Sequence, residues 1–188
     1  MSKSDQHNQT TRPALLSDAY RELNAELHRR DRNYGTTGRQ HVETIRTLAK
    51  KYKARHILDY GCGKRDLWHA LHDEFDVRNF DPTIQGLDAP PEPADFVACI
   101  DVLEHVEPDF LESVLADLAR LTLHVSYITI ATQPSLKHLA DGTNCHRIVE
   151  APTWWMPQLE RHFCITKILS QDTSRGLQLI VDRFSTSH

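Results

Sequence analysis

The segment from His56 to Gly63, which reads HILDYGCG, constrains the fold of this chain more than any other stretch. A short apolar run ends at Asp59 and passes into a turn that contains Gly61 and Gly63. Glycine permits a tight turn and lets the backbone approach a ligand closely. A helix that begins near Asp66 would direct its first amides toward the same point. The segment predicts the first strand of a parallel sheet, with a nucleotide-like cofactor at its carboxyl end.

Helical and strand patterns alternate along the rest of the chain. Strands are predicted at 56–59, 77–80, 94–100 and 125–131, with a terminal antiparallel pair at 164–169 and 177–181. Helices are predicted over 13–28, 42–52, 67–75, 108–121 and 154–162. Strands separated by helices pair in parallel, so the pattern predicts an α/β fold with a doubly wound, mostly parallel sheet.

The length of 188 residues fits one domain, which we place at 13–188. Residues 13–53 are predicted to form an N-terminal helical cap, and the polar segment Met1–Arg12 a disordered tail. A net charge of −4 does not suggest a chain that coats nucleic acid. No apolar run approaches the roughly 20 residues that cross a bilayer, so no membrane partner is expected.

The cysteines indicate a reducing compartment. The four cysteines form no C-x-x-C pair, which argues against a zinc ribbon. Cys99 and Cys164 lie in apolar runs and are expected to be buried thiols. With no signal peptide recognised, the cysteine pattern predicts a cytoplasmic protein.

Three motifs follow one another in a fixed order: ILDYGCG at 57–63, Asp81 after the second strand, and ADFV with DVLEHV between 94 and 106. In this order they resemble the class I S-adenosylmethionine (SAM)-dependent methyltransferases, which have a Rossmann-like sheet. The resemblance runs from roughly Tyr34 to the C-terminus. It implies SAM as cofactor and transfer of a methyl group to an oxygen or nitrogen atom of a small-molecule or nucleotide acceptor.

The resemblance also implies the cofactor-binding residues. They are Tyr34, Asp59, Gly61, Cys62, Gly63, Asp81, Pro82, Asp101, Val102 and Leu103. Asp81 would accept hydrogen bonds from both ribose hydroxyls, which suits a carboxylate held at a strand end. Arg39, Lys64 and Arg65 are further candidates to meet the methionine carboxylate.

The chain departs from the family pattern at three points. Arg65 stands where the third glycine of the family is expected, so the turn is either wider there or the side chain points outward. Only fourteen positions separate Asp81 from Asp95, which is too short for a helix, a strand and a second helix. We therefore expect the third strand to be reduced or missing. The acidic residue that contacts adenine in the family has no clear counterpart.

His105 and His146 are the candidate catalytic residues, since a histidine can act as a general base near neutral pH. Asp101, Glu104, His105 and His146 together resemble the metal site of small-RNA terminal 2′-O-methyltransferases and, more loosely, that of ubiquinone-pathway O-methyltransferases. Mixed oxygen and nitrogen ligands suit Mg²⁺ or Mn²⁺. The paired Trp154 and Trp155, at the start of a helix, are candidate substrate contacts.

Two other functions stay open at this point. One is a metal-dependent RNA 2′-O-methyltransferase, and the other is a SAM-binding accessory protein without activity. An NAD-dependent oxidoreductase is the least favoured reading, because the third glycine of its fingerprint is absent. RNA is a possible but not a favoured partner. The sequence identifies neither the acceptor nor the oligomeric state.

Overall fold

The computed structural model of the chain describes residues 13–172 and 176–184, so the predicted tail Met1–Arg12 lies outside the described residues. Within them one sheet contains six strands: β1 His56–Tyr60, β2 Asp76–Phe80, β3 Ala94–Ile100, β4 Thr122–Ile130, β5 Phe163–Asp172 and β6 Gly176–Arg183. The α-helices of this part of the chain are α1 Asp18–Arg30, α2 Val42–Lys51, α3 Asp66–Leu71, α4 Leu111–Leu121 and α5 Pro152–Glu160.

The strands lie in the order β2-β1-β3-β4-β6-β5. The first four strands of the chain run parallel, and β6 is antiparallel both to β4 and to β5. This arrangement confirms the predicted doubly wound, mostly parallel sheet with a C-terminal antiparallel pair.

The third strand of the usual fold is missing. The connection between β2 and β3, residues 81–93, contains no strand, as the short spacing predicts. Its backbone turns back on itself instead, and the amide of Asp81 donates to the carbonyl of Leu87 at 2.9 Å. As a result β2 forms one edge of the sheet.

The topology places a crevice between β1 and β3. The chain passes from β1 to β2 on one side and then returns to β3 on the other side of β1. Open α/β sheets bind ligands where the strand order reverses in this way, outside the carboxyl ends of the strands. The Gly61 turn follows β1 and Asp101 follows β3, so both stand at this crevice.

Apolar side chains cover both faces of the sheet. Because side chains alternate along a strand, Ile57 of β1 faces one apolar cluster and Leu58 faces the other. The Leu58 cluster contains α4 and α5, whereas the Ile57 cluster contains α2 and α3. None of the described helices is long and apolar enough to cross a membrane.

Helix α1 packs away from the sheet. It begins where the Ser17 side chain accepts a hydrogen bond from the Tyr20 amide at 3.1 Å. Its buried side chains Tyr20 and Leu27, with Leu16 just before the helix, cluster with Leu139 and Cys145, from the long connection between β4 and α5. The segment 13–53 is therefore divided, since α1 forms a cap whereas α2 belongs to a sheet layer.

One prediction about the cysteines is wrong. Cys99 is buried in β3, as expected, but Cys164 is exposed. Its strand, β5, is the edge of the sheet, and most of its side chains face solvent rather than a second layer.

Candidate active site

A cavity of about 300 Å³ opens at the carboxyl edge of β1 and β3, and α1 contributes to its wall. All the predicted cofactor residues line it except Leu103, whose side chain is fully buried in the core. Glu104, His105 and His146 line the same cavity. The fold thus brings the predicted cofactor residues and most of the predicted acceptor residues to one place.

The turn after β1 adopts the backbone that its glycines predict. Gly61 and Gly63 have φ angles of 76° and 48°. A Cβ atom added to Gly63 would lie 2.5 Å from the carbonyl oxygen of Gly35, so a larger residue does not fit without a shift. Arg65 has a φ of 60°, so the chain makes the left-handed turn even without the third glycine. The Arg65 side chain is exposed, with its guanidinium 5.7 Å from the centre of the Trp68 ring.

Asp81 is a fixed carboxylate at the end of β2. Its Oδ1 accepts from the amide of Thr83 at 3.0 Å and from the hydroxyl of Thr83 at 2.7 Å. Its Oδ2 accepts from the amide of Gly63 at 3.1 Å. A carboxylate has about four acceptor positions, so a ligand hydroxyl can still donate to it. These contacts orient Asp81 before any ligand binds.

Asp59 is a second buried carboxyl on the same wall. Burial, with the charges of Asp81 and Asp66 added to it, raises the pKa of Asp59 to about 8. The pair Asp59 and Asp81 therefore favours a bound cation or a proton on Asp59. An ammonium group is one cation that would suit this wall.

Helix α1 contributes three polar side chains to the cavity that the sequence reading missed: Tyr20, Asn24 and His28. They recur every fourth residue, which places them on one face of the helix. Polar residues at this spacing beside the apolar stripe of Leu16, Leu23 and Leu27 were the signal that could have identified them.

Not all of the residues expected near the methionine carboxylate line the cavity. Tyr34 lines the cavity, and its hydroxyl donates to Asn24 Oδ1 at 3.0 Å. Arg39 does not line it, because its exposed side chain bonds to Asp66 at 3.2 Å. Lys64 donates to the carbonyl of His28 at 2.6 Å and so holds the end of α1 on the glycine turn.

Glu104 is fully buried in the short 3₁₀ turn Leu103–His105 after β3. Its Oε1 accepts from the amide of Ala131 at 2.9 Å, whereas its Oε2 has no hydrogen-bond partner among the described residues. Burial and the charge of Asp101 raise the pKa of Glu104 well above its usual range. An unpaired carboxyl oxygen in this position is costly unless a proton or a cation satisfies it.

His105 and His146 both direct Nδ1 to a backbone carbonyl. The Nδ1 atom of His105 lies 3.0 Å from the Cys145 carbonyl, and that of His146 lies 2.6 Å from the Gln133 carbonyl. Carbonyls only accept, so each Nδ1 carries a hydrogen, and in the neutral ring Nε2 has the lone pair. Burial and the neighbouring His146 lower the pKa of His105 to about 3, so the His105 ring is neutral.

Three of the four predicted metal ligands come together. One ligand atom each from Glu104, His105 and His146 lies within 4.8 Å of the other two. Asp101 is outside this group, although it lines the cavity. Its backbone has a φ of 50°, and its Oδ1 accepts from the Thr129 hydroxyl at 2.7 Å.

The tryptophan pair, which is predicted to contact the substrate, lies outside the cavity. Trp155 is fully buried in the core cluster between α5 and the sheet, so its ring is unavailable to a substrate. Trp154 is partly buried against the same cluster, and neither ring lines the cavity. Apolar periodicity in α5, rather than ligand binding, accounts for the tryptophan at 155.

A family model described as a methyltransferase domain matches residues 25–173 of the chain. Among solved structures, the fold is similar to 1,6-didemethyltoxoflavin-N1-methyltransferase from Burkholderia thailandensis, determined with 1,6-didemethyltoxoflavin and S-adenosylhomocysteine (SAH). The two chains share 16% identity over 91% of this chain and 92% of that one, with a TM-score of 0.65.

Two further solved structures have a fold similar to that of this chain. The N-methyltransferase NodS from Bradyrhizobium japonicum, in complex with SAH, is 12% identical over 88% of this chain and 100% of that chain, with a TM-score of 0.62. Magnesium protoporphyrin IX methyltransferase from Synechocystis PCC 6803, with bound SAH, is 15% identical over 78% and 83% of the two chains, with a TM-score of 0.55. At these identities the similarity concerns the fold. No curated protein sequence matches this chain.

Proposed function

Because this chain belongs to the methyltransferase-domain family and to the class I SAM-dependent methyltransferases, we propose that its cavity transfers a methyl group from SAM to an acceptor hydroxyl beside Glu104. The observation that carries the acceptor assignment is the buried Oε2 of Glu104, which has no hydrogen-bond partner among the described residues. The acceptor is a small molecule or a nucleotide.

The cofactor side of the proposal uses the two carboxyls and the glycine turn. Asp81 accepts hydrogen bonds from ribose hydroxyls, and Gly61 and Gly63 let the backbone come close to the cofactor. Asp59, whose pKa is raised to about 8 by burial, becomes ionised when it faces the ammonium group of the methionine part. When bound, SAM supplies an electrophilic methyl group on its sulfonium sulfur.

The acceptor side fits a divalent cation. Glu104, His105 and His146 would hold Mg²⁺, Mn²⁺ or a similar ion, since a carboxylate oxygen and imidazole nitrogens are suitable ligands. An ion there would lower the pKa of an acceptor hydroxyl. The carbonyls of Cys145 and Gln133 keep both imidazoles in the tautomer that can bind a metal ion.

The cavity walls favour a compact acceptor with an apolar body. Leu15, Leu16, Val106 and Val114 line the cavity together with Glu104 and His105. Apolar walls exclude water from the methyl-transfer path, and the aligned acceptor then needs little beyond loss of its proton. These walls favour a small hydroxyl compound over an RNA end.

Calorimetric titration of SAH and then Mn²⁺ tests the proposal. The unmodified protein is expected to bind SAH in EDTA and to give a separate Mn²⁺ heat once the chelator is removed. Glu104→Gln should weaken Mn²⁺ binding by at least ~10-fold, as expected for loss of a charged ligand. The same variant should leave SAH binding nearly unchanged, because Glu104 lies on the acceptor side.

Glu160→Gln provides the matched control, since Glu160 is exposed at the end of α5. Equal Mn²⁺ binding by the two variants would contradict the cation site. Absence of SAH binding by the unmodified protein would instead contradict the cofactor assignment. A SAH-release assay with vicinal diols and with RNA 3′ ends then separates small-molecule acceptors from RNA, and no turnover with either would favour a non-catalytic protein.

A further inference from the structure

His28 is a buried imidazole that has no role in the proposed methyl transfer. It lies in the last turn of α1 and lines the cavity, and its side chain is only 11% exposed. Its ring centre lies 4.6 Å from that of Tyr34, with the two ring planes tilted by 55°. A Cβ atom added to Gly35 would lie 2.8 Å from His28 Cε1, so the Gly35 turn also fixes the ring. His28 is therefore held in one position.

The ring nitrogens of His28 have no hydrogen-bond partner among the described residues. Nδ1 is buried without a partner, and Nε2 lies 4.0 Å from Asp81 Oδ2, which is too long for a hydrogen bond. The Nε2 side of this rigidly held imidazole therefore lies beside a cavity carboxylate without bonding to it, where a ligand group can contact both side chains.

One oxygen atom can contact both His28 and Asp81. An oxygen that lies to one side of the pair can make hydrogen bonds of about 2.8 Å to both atoms when these are 4.0 Å apart. A hydroxyl group satisfies both partners, because it donates to the carboxylate and accepts from an N–H on the ring. Burial lowers the pKa of His28, so the ring is neutral and one nitrogen carries a hydrogen.

We propose that His28 is a further cofactor-binding residue, which together with Asp81 holds one ribose hydroxyl of SAM. The hydroxyl donates to Asp81 Oδ2 and accepts from His28 Nε2–H. This inference rests on the proposed role of Asp81 as the ribose-binding carboxylate. It makes the ribose site composite, since Asp81 comes from the sheet and His28 from the cap.

The contacts around His28 connect cofactor binding to the position of α1. Lys64, in the glycine turn, donates to the His28 carbonyl at 2.6 Å. Arg21, two turns earlier on the same helix, donates to the carbonyl of Pro82, the residue after Asp81. Binding of the ribose therefore adds a further link between α1 and the carboxyl edge of the sheet, and it should tighten the cap over the acceptor.

A cycle of two variants and two ligands tests the role of His28. We compare SAH with the analogue that carries hydrogens in place of both ribose hydroxyls, by calorimetry. His28→Ala should weaken SAH binding by about 10-fold, equivalent to one net hydrogen bond of about 1.4 kcal/mol. It should weaken binding of the dideoxy analogue by less than about 3-fold, since only lost packing remains. His28→Gln, which keeps an N–H donor, should recover part of the SAH affinity.

The controls separate this proposal from the one it rests on. His69→Ala changes an exposed histidine of α3 and should leave both affinities unchanged. Equal losses for SAH and the analogue in both His28 variants would show that His28 only packs, and would overturn the proposal. Asp81→Asn is measured in parallel. If this variant loses equal affinity for SAH and for the analogue, the proposed ribose-binding role of Asp81 is itself contradicted. Thermal unfolding of each variant confirms that a folded protein is compared.

Discussion

At the residue scale, Asp59 shows how burial changes the chemistry of an ordinary side chain. An aspartate in water has a pKa near about 3.9, whereas burial beside Asp81 raises the pKa of Asp59 to about 8 in the folded chain. Between about pH 4 and pH 8, Asp59 therefore holds a proton in the folded state that it releases in the unfolded state. Without cofactor, the stabilising contribution is fully present below about pH 4 and is lost as the pH rises through about 8.

We expect Asp59→Asn to flatten this pH dependence. Between pH 5 and about pH 8.5, the unmodified protein should lose on the order of a few kcal/mol more unfolding free energy than the variant. Urea denaturation of the ligand-free proteins at both pH values measures the difference. Asp109→Asn, at an exposed aspartate, should behave like the unmodified protein. Parallel pH curves for Asp59→Asn and the unmodified protein would contradict the burial argument.

At the scale of elements, the glycine turn and the Gly35 turn depend on each other. The amide of Lys64 donates to the Gly35 carbonyl at 2.9 Å, and this carbonyl lies where a Gly63 side chain would be. Close approach of the two turns brings α1 and Tyr34 to the cofactor wall. The cap and the sheet therefore meet through backbone atoms, which a side chain at position 63 would separate.

Gly63→Ala should lower the free energy of unfolding by about 2–4 kcal/mol, because the methyl group meets the Gly35 backbone and the left-handed φ disfavours alanine. Gly86→Ala is a matched control: its φ of 86° carries the same kind of backbone strain, but no atom lies within 4 Å of the added Cβ. It should lose only about 1–2 kcal/mol. Denaturant unfolding of both variants measures the two losses of unfolding free energy, and their difference is the contribution of the contact with the Gly35 backbone. Equal losses would contradict that contribution.

At the scale of the whole molecule, the two apolar layers hold the sheet edge that forms the site. Trp155 is among the largest fully buried side chains, and it lies in the same cluster as Leu58 of β1 and Leu103. This cluster supports the strand ends from which Asp59 and Glu104 enter the cavity. Trp155 therefore acts on function only through the stability of the fold.

Trp155→Ala should reduce the free energy of unfolding by about 3–5 kcal/mol, since it removes a large buried ring. Trp155→Phe keeps most of the apolar volume and should therefore lose less unfolding free energy. Under conditions where Trp155→Phe is folded, its affinity for SAH should match that of the unmodified protein. The measurements are a denaturation curve and a calorimetric titration. A stable variant with a selective loss of acceptor turnover would restore the substrate role of Trp155.

Much of the fold follows from local patterns. Apolar runs ended by Asp59 and Asp81, and the short spacing to Asp95, predicted the parallel strands and the missing third strand. These signals are local because the strand period, the glycine turn and the length of a connection act within a few residues. The apolar run around Cys164 wrongly predicted a buried thiol for the same reason, because an apolar run cannot show whether its strand is central or at the edge of the sheet.

The sequence by itself determined the sheet, the glycine turn and the set of chemical groups after each strand. Only the tertiary structure decided which of them meet: Glu104, His105 and His146 come together, whereas Asp101 bonds to Thr129 instead. It also brought His28 to Asp81, across 53 positions of the chain. The physical reason is that a ligand site needs side chains within a few ångströms of one another. That distance depends on how α1 and the strand ends pack, which no local pattern contains.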